Sequence, residues 1–372
     1  MAQTHTAPPD EQDPTELIEA VSAESFDDWY RERQVRQNIE QGTPYFIGPR
    51  SPQPATRHSP SRLLKCHRQT YYQQHNAPEE TADPNGIFWV GSRIEEDIIV
   101  PYLREAVADE NEYVTNSLWI DFYVSTDAGE IRLKGETDPV IVTPDYEPIL
   151  LTEIKTKDSV EHTTEPSRHH LAQLHAYLKG LSEKYDRNIT EGVILYVSRK
   201  TLDVKSFHVE FDPWFWSEVV VGWAETNTTY RLRDELPPAT PEYDWECKFC
   251  AFRERCGKGQ SRFRDEDPEG LLPRFDEYPR EKVVEYLNAD GNARLTPTLA
   301  NLYPDLATQF PVQPWNCPNC GSEFQWSSIE SSSMEPLCPA CADQDLLIEL
   351  EVAVQAENTA SEHREDEARE VD

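Results

Sequence analysis

Residues 135–157 read GETDPVIVTPDYEPILLTEIKTK, and the fold turns on how this stretch is read. Two apolar runs, within 138–143 and 148–155, flank a Pro-Asp turn, so the spacing predicts two adjacent strands, the second one buried through ILLTEI. Asp138 at the start of one strand and Glu153 on the next can converge on a hard divalent cation, which favours carboxylate oxygens. Lys155 lies two residues beyond Glu153 and therefore on the same strand face. An ammonium there can hold a phosphate or a metal-bound water, and a divalent ion lowers the pKa of that water for in-line attack on phosphorus. An isolated Glu-x-Lys pair is ordinarily a solvated strand face, but a buried strand seldom ends in two charges on one face unless they are paired or functional.

Outward from these strands, the apolar patterning predicts further strands over 118–124, 130–134, 192–198 and 204–211. Helical spacing of Ile94, Ile98, Ile99 and Leu103 predicts a helix within 91–107, which Pro101 should kink or divide. Further helices are expected over 167–181 and 214–232. The resulting order of helix, strands, helix, strands, helix is that of an α/β core with a mixed sheet. On the helix after the Glu-x-Lys strand, Gln173 and Tyr177 are four apart and share a face, where an amide and a hydroxyl can position a nucleic acid or order Lys155. An ordinary amphipathic helix with Leu171, Leu174 and Leu178 in the core meets the same pattern, and His169, His170 and His175 are expected to cap or decorate it rather than bind metal.

The chain has 372 residues, with 69 Asp+Glu against 35 Lys+Arg, a formal net charge of −34. An acidic excess spread along the chain reads as a salt-adapted surface, which unfolding on dialysis into low salt would test. It argues against phosphate binding by a basic surface, but molar salt screens net charge within about 3 Å, so local chemistry decides. The longest apolar run, Val193 to Val197, is far short of the roughly 18 residues of a bilayer span, and the amino terminus lacks a basic-then-apolar leader pattern. A cytoplasmic location without a membrane partner is expected. The sequence holds no GxGxxG, GxxxxGK[ST] or nucleophile-elbow motif, so nucleotide hydrolysis is not expected.

Eight cysteines fall into two quartets. Cys247, Cys250 and Cys256 have C-x2-C-x5-C spacing, and Cys66 lies far upstream in LLKCHRQTYY. Four thiols are the number that an iron-sulfur cluster or a structural zinc requires, and binding would clip the start of a core domain to its end. Spacing alone leaves iron-sulfur and zinc both open. Cys317, Cys320, Cys338 and Cys341 have the C-x2-C-x17-C-x2-C spacing of a zinc ribbon, two knuckles with an intervening stretch long enough for a β-hairpin. Together the quartets use every cysteine, leaving none for a nucleophile or a disulfide.

GETD, EIK, QLHAY and the Cys66, Cys247, Cys250 and Cys256 arrangement together resemble the RecB-type branch of the PD-(D/E)xK nuclease superfamily. Within that branch the likeness is to the CRISPR-associated exonucleases with a four-iron, four-sulfur cluster, over about residues 61–259. The resemblance implies a restriction-endonuclease-like mixed sheet flanked by helices. It implies a metal-dependent DNA nuclease with Mg2+ or Mn2+ at Asp138 and Glu153, Lys155 as the catalytic lysine, and Gln173 and Tyr177 completing the site. By the same likeness Cys66, Cys247, Cys250 and Cys256 hold a 4Fe-4S cluster that staples the domain around a DNA channel. One position departs from the pattern: in GSRIEEDI, Glu95 stands where many relatives carry a metal-binding His. A carboxylate also suits a hard cation, so Glu95 is a third expected ligand.

The expected organisation starts with a mostly disordered Pro-rich arm over 1–60, with a short helix within 14–33. The nuclease domain with its cluster follows over 61–259, then an acidic connector with short helices over 260–311, the zinc ribbon over 312–346 and an acidic disordered tail over 347–372. A helix-turn-helix within 280–306 lacks a basic recognition face. The expected function is hydrolysis of DNA phosphodiesters, as an exonuclease on single strands or ends, in CRISPR adaptation or DNA repair and with proteins of those pathways as partners. The alternatives are a non-catalytic nucleic-acid-binding or complex-assembly protein on a nuclease-like scaffold, and an iron-sulfur redox regulator.

Overall fold

A computed structural model of the chain describes residues 53–260, 268–289, 291–329 and 336–352, with scattered positions between 21 and 36. Two compact units divide it, Met1–Pro49 and Arg50–Asp372. In the first, the described positions between 25 and 36 are helical, with Phe26 stacked near Tyr30 and the Arg33 guanidinium over Trp29. The part of the expected arm helix before residue 21, and the tail beyond residue 352, lie outside the described residues.

The second unit opens with β1 (Arg57–His58), α1 (His67–Gln74) and α2 (Asn85–Ile94), followed by β2 (Tyr113–Thr115), β3 (Trp119–Thr126), β4 (Gly129–Glu136), β5 (Val140–Val142) and β6 (Pro148–Lys157). Next come α3 (Arg168–Tyr185), β7 (Glu191–Ser198), β8 (Val204–Glu210) and α4 (Gly222–Leu232). The chain stays helical past α2 to Val107, with wide π turns at Glu95–Ile99 and Leu103–Val107 on either side of Pro101. Proline has no N–H to give an ordinary helical turn, and the widened turns absorb that loss, so Pro101 distorts the helix without dividing it.

The expected mixed sheet flanked by helices is present, in the order β2-β5-β6-β7-β8. Only β6 and β7 run parallel; the other neighbours are antiparallel. The strands β3 and β4 do not join it but form a separate sheet, ordered β1-β4-β3. The division falls at Thr137–Pro139. Thr137 Oγ1 accepts the Leu118 N–H at 2.9 Å and donates to the Asp138 carbonyl at 2.7 Å, while Pro139 has no N–H to offer a ladder. Consequently β5 begins at Val140, and Asp138 sits in the break rather than inside a strand.

Side-chain alternation along β6 and β7 sends two sets of residues to two helical layers. Leu151, Ile194 and Tyr196 pack with Leu174 and Leu178 of α3, whereas Ile154, Leu195 and Val197 pack with Ile94, Ile99 and Leu103 on the helix over 85–107. Glu153 shares the parity of Leu151 and so faces α3. Gly180 allows α3 to lie this close to β3, since a Cβ there would stand 2.8 Å from Ile120 Cβ and from Phe122 Cε1.

The segment expected to be a connector carries its own core. Leu271, Leu272, Tyr278, Val283, Leu295 and Leu299 are buried around α5 (Arg280–Ala289) and α6 (Pro297–Leu302). It is anchored by two buried cations: Arg255, whose guanidinium holds the Gly270 carbonyl, and Lys282, whose ammonium lies 2.9 Å from both Glu79 and Asp83. The ribbon sheet is ordered β10-β9-β11, from β9 (Trp315–Asn316), β10 (Glu323–Phe324) and β11 (Glu351–Val352). Its hairpin wraps the first knuckle instead of lying between the two, and a Leu337–Glu349 bridge closes around the second. Pairing next to each knuckle holds its thiols together, and it carries the ribbon to Val352, past the expected boundary at 346. No helix among the described residues is long and apolar enough to cross a membrane.

Candidate active site and cysteine centres

The break between the sheets presents Asp138 to β6. Asp138 Oδ2 accepts the Ile154 N–H at 2.7 Å, and the Thr152 hydroxyl clamps the turn by donating to the Pro139 carbonyl at 2.6 Å. Glu153 is fully buried; Lys155 Nζ is ion-paired with its Oε1, and its Oε2 has no donor among the described residues. Glu95 approaches from the helix over 85–107. Burial first, then Asp138, push the Glu95 carboxyl up to about 7 and that of Glu153 up to about 8. Asp138 is raised by burial against the pull of Lys155. Burial alone would lower Lys155, but the Glu153 and Asp138 carboxylates outweigh it and hold the ammonium above its ordinary range.

These mutual perturbations couple Glu95, Asp138, Glu153 and Lys155 into one electrostatic unit. Fully ionised, three carboxylates and one ammonium sum to −3 + 1 = −2. A divalent cation is the charge that balances this, and the orphaned Glu153 oxygen is the hard donor such a cation takes. The three carboxylates are not all mutually within 4.8 Å, so the set is open rather than closed into a finished cage.

From α3, Gln173 Nε2 donates to Tyr177 Oη at 3.1 Å, and both side chains are buried. The Tyr177 hydroxyl is raised by burial first and by the Glu153 carboxylate second. Leu174 and Leu178 are fully buried as well, so the helix satisfies both readings of its pattern. The histidines are more than decoration. His175 spans from the Leu171 carbonyl to the Asp212 N–H, while His170 Nδ1 meets Tyr196 Oη at 2.7 Å, the same hydroxyl that accepts the Ser167 N–H at the start of α3.

Two cations beside the site escaped the sequence reading. Lys157 Nζ lies 4.0 Å from the Tyr196 ring centroid, and its signal was present as the next step of the Glu153, Lys155 alternation. Lys65, lowered by burial and then by Arg62 and Lys155, carried no local signal.

Cys66, Cys247, Cys250 and Cys256 line one pocket together with Glu246 and Tyr72. Burial raises the Cys247 and Cys256 thiols and pushes Cys250 up to about 12, a cost that binding a cation to the thiolates would reverse. Cys317, Cys320, Cys338 and Cys341 are gathered more tightly: their sulfurs lie mutually within 4.8 Å, with Cys317 3.6 Å from Cys341 and Cys320 3.7 Å from Cys338. A tetrahedral ion with bonds of about 2.3 Å sets thiolates about 3.8 Å apart, so this quartet has the dimensions of a single zinc. The sulfurs of the first quartet are not gathered within 4.8 Å in this way.

The chain belongs to the PD-(D/E)XK nuclease superfamily, whose family model matches residues 1–257. Members are generally hydrolytic nucleases that use divalent metals and act on nucleic acid, in keeping with the carboxylate set at Asp138 and Glu153. No curated protein is significantly similar in sequence. Among solved structures, SSO0001 is similar at 16% identity and a TM-score of 0.41, over 62% of this chain and 98% of that one. Rai1 of Scheffersomyces stipitis is similar at 13% identity and a TM-score of 0.21, over 45% of this chain and 48% of that one. At such scores these two likenesses decide nothing about function.

Proposed function

We propose that the chain is a metal-dependent deoxyribonuclease of the RecB-type branch, an exonuclease acting on single strands or ends in CRISPR adaptation or DNA repair. The observation that carries this reading is the fully buried Glu153 with the half-buried Glu95, Asp138 and Lys155 around it, a Glu153 oxygen left without a donor and a net charge that one divalent cation neutralises. Asp138, Glu153 and Glu95 are the ligands for Mg2+ or Mn2+. When bound, the ion supplies a water of lowered pKa and a counter-charge for the phosphate oxygens. Asp138, fixed by the Ile154 N–H, keeps its carboxylate aimed at the site; Lys155 places a positive charge beside the attacked phosphate; Tyr177, oriented by Gln173, shields Glu153 from bulk water.

Glu95 favours catalysis over a scaffold role, because its half-buried carboxyl is coupled to Asp138 and Lys155. The wide first quartet is assigned a 4Fe-4S cluster and the compact second one a structural zinc. Anoxically purified protein should then show thiolate-to-iron charge-transfer absorbance, which zinc does not give.

The test is release of label from end-labelled single- and double-stranded DNA in high salt with Mg2+ or Mn2+, comparing the intact protein with Lys155→Ala. Release by the intact protein alone, and only with metal, is expected. If neither protein cuts while both bind DNA and keep their metals, the chain is an assembly scaffold and the catalytic reading fails.

A further inference from the structure

The segment leading into Cys247 meets the first turn of α3 at a second group of ligating side chains. His169 Nδ1 stands 3.7 Å from Glu242 Oε2. One ligand atom from each of His169, Glu242 and Glu246 lies within 4.8 Å of the other two, and all three residues are half-buried. Two details distinguish this trio from an incidental surface pair. Both Glu242 carboxylate oxygens are closed off from solvent, and the donors that face them, the Tyr243 hydroxyl and the Arg168 N–H, stand outside hydrogen-bond geometry. Glu246 Oε2 accepts the Glu242 N–H at 3.1 Å, which ties the two acidic residues into one local turn.

A buried carboxylate without a well-formed hydrogen bond is costly, and native structures satisfy nearly all such groups. The histidine beside Glu242 is the natural co-ligand for what is missing. By contrast, the similar trio Glu191, His208 and Glu210 is exposed throughout, and water satisfies it. One imidazole nitrogen with two carboxylates and no thiolate is the donor set of a divalent ion of intermediate hardness.

We propose that His169, Glu242 and Glu246 bind one divalent cation of the Mn2+ or Zn2+ class, which pins the approach to Cys247 onto the helix that carries Gln173 and Tyr177. None of the three belongs to the catalytic carboxylates or to either cysteine quartet, so the site stands independently of the nuclease reading. His169 packs against His170 with ring centroids 4.0 Å apart, and His170 in turn holds Tyr196. A cation here therefore braces the first turn of α3 from the side of the cysteine loop.

Mn2+ is the probe, because it is visible by electron paramagnetic resonance and prefers carboxylate and imidazole donors to thiolates. In Asp138→Asn protein, whose catalytic set is disabled, one tightly held Mn2+ per chain is expected, and adding Glu242→Gln should weaken its binding at least tenfold. Far-UV circular dichroism and unchanged iron and zinc content confirm that the fold is intact, and His169→Gln provides a second variant with the same expected loss. In the wild-type background Glu242→Gln should lower the count of bound Mn2+ by one, which keeps the test readable if Asp138→Asn does not fold. Unchanged Mn2+ binding in both the Glu242→Gln and His169→Gln proteins overturns the proposal, and so does the absence of any tight Mn2+ in folded Asp138→Asn protein.

Discussion

Glu153→Gln should make the metal-free protein more stable at neutral and alkaline pH while abolishing its stabilisation by Mg2+. Burial and Asp138 hold the Glu153 carboxyl up to about 8 in the fold, against an ordinary 4.5. Between those values the folded state binds a proton that the unfolded chain has released, so stability is present in full below 4.5 and is lost as pH rises through about 8. At about 1.4 kcal/mol per pH unit the loss across the whole window has a ceiling of about 5 kcal/mol, and about 3 kcal/mol of it has gone by pH 7. The neutral glutamine amide carries none of this penalty, but it also deprives Lys155 of the carboxylate against which it is paired. That loss offsets part of the gain, leaving about 1–3 kcal/mol in favour of the variant at pH 8. For a unit of this size the gain corresponds to a rise in Tm of roughly 2–5 °C. Thermal unfolding in magnesium-free buffer at pH 5, 7 and 8, repeated with Mg2+, measures it. The reasoning is refuted if the variant is no more stable than the natural protein at pH 8, or if its advantage fails to shrink toward pH 5.

Gly180→Ala adds a methyl group 2.8 Å from Ile120 and Phe122, so its overpacking cost of about 1–3 kcal/mol should exceed the gain in helix propensity of about 1 kcal/mol; denaturant titration should show a net loss of stability. Cys338→Ser, or removal of zinc by a chelator, should unfold the ribbon around Trp315 and Leu350 while the mixed sheet persists, because the ribbon core is a separate cluster that includes its own cysteines. Limited proteolysis should then cut within 314–352 and spare the rest.

Much of the site was legible in the chain itself. Side chains alternate along a strand and recur every third or fourth position on a helix, so the pairing of Glu153 with Lys155 and of Gln173 with Tyr177 follows from spacing alone. So does the compact geometry of the second quartet, whose knuckles are local turns. The order of β3 to β8 follows for the same reason, since each is a local apolar pattern, whereas the three-residue edge strand β2 is too short to show one.

Other features depended on which distant groups came together. Whether Glu95 reached Asp138, across more than forty positions of chain, was decided by helix packing against the far face of the sheet. The split into two sheets at Thr137–Pro139 came from hydrogen bonds to Leu118, and the role of Pro101 came from π turns on either side of it. The burial of Arg255 and Lys282, which turns an acidic connector into a packed layer, needed partners at Gly270, Glu79 and Asp83. The orphaned oxygens of Glu153 and Glu242 belong to the same class: a sequence shows that a carboxylate exists, but only the assembled structure fixes how much water and how many donors it keeps.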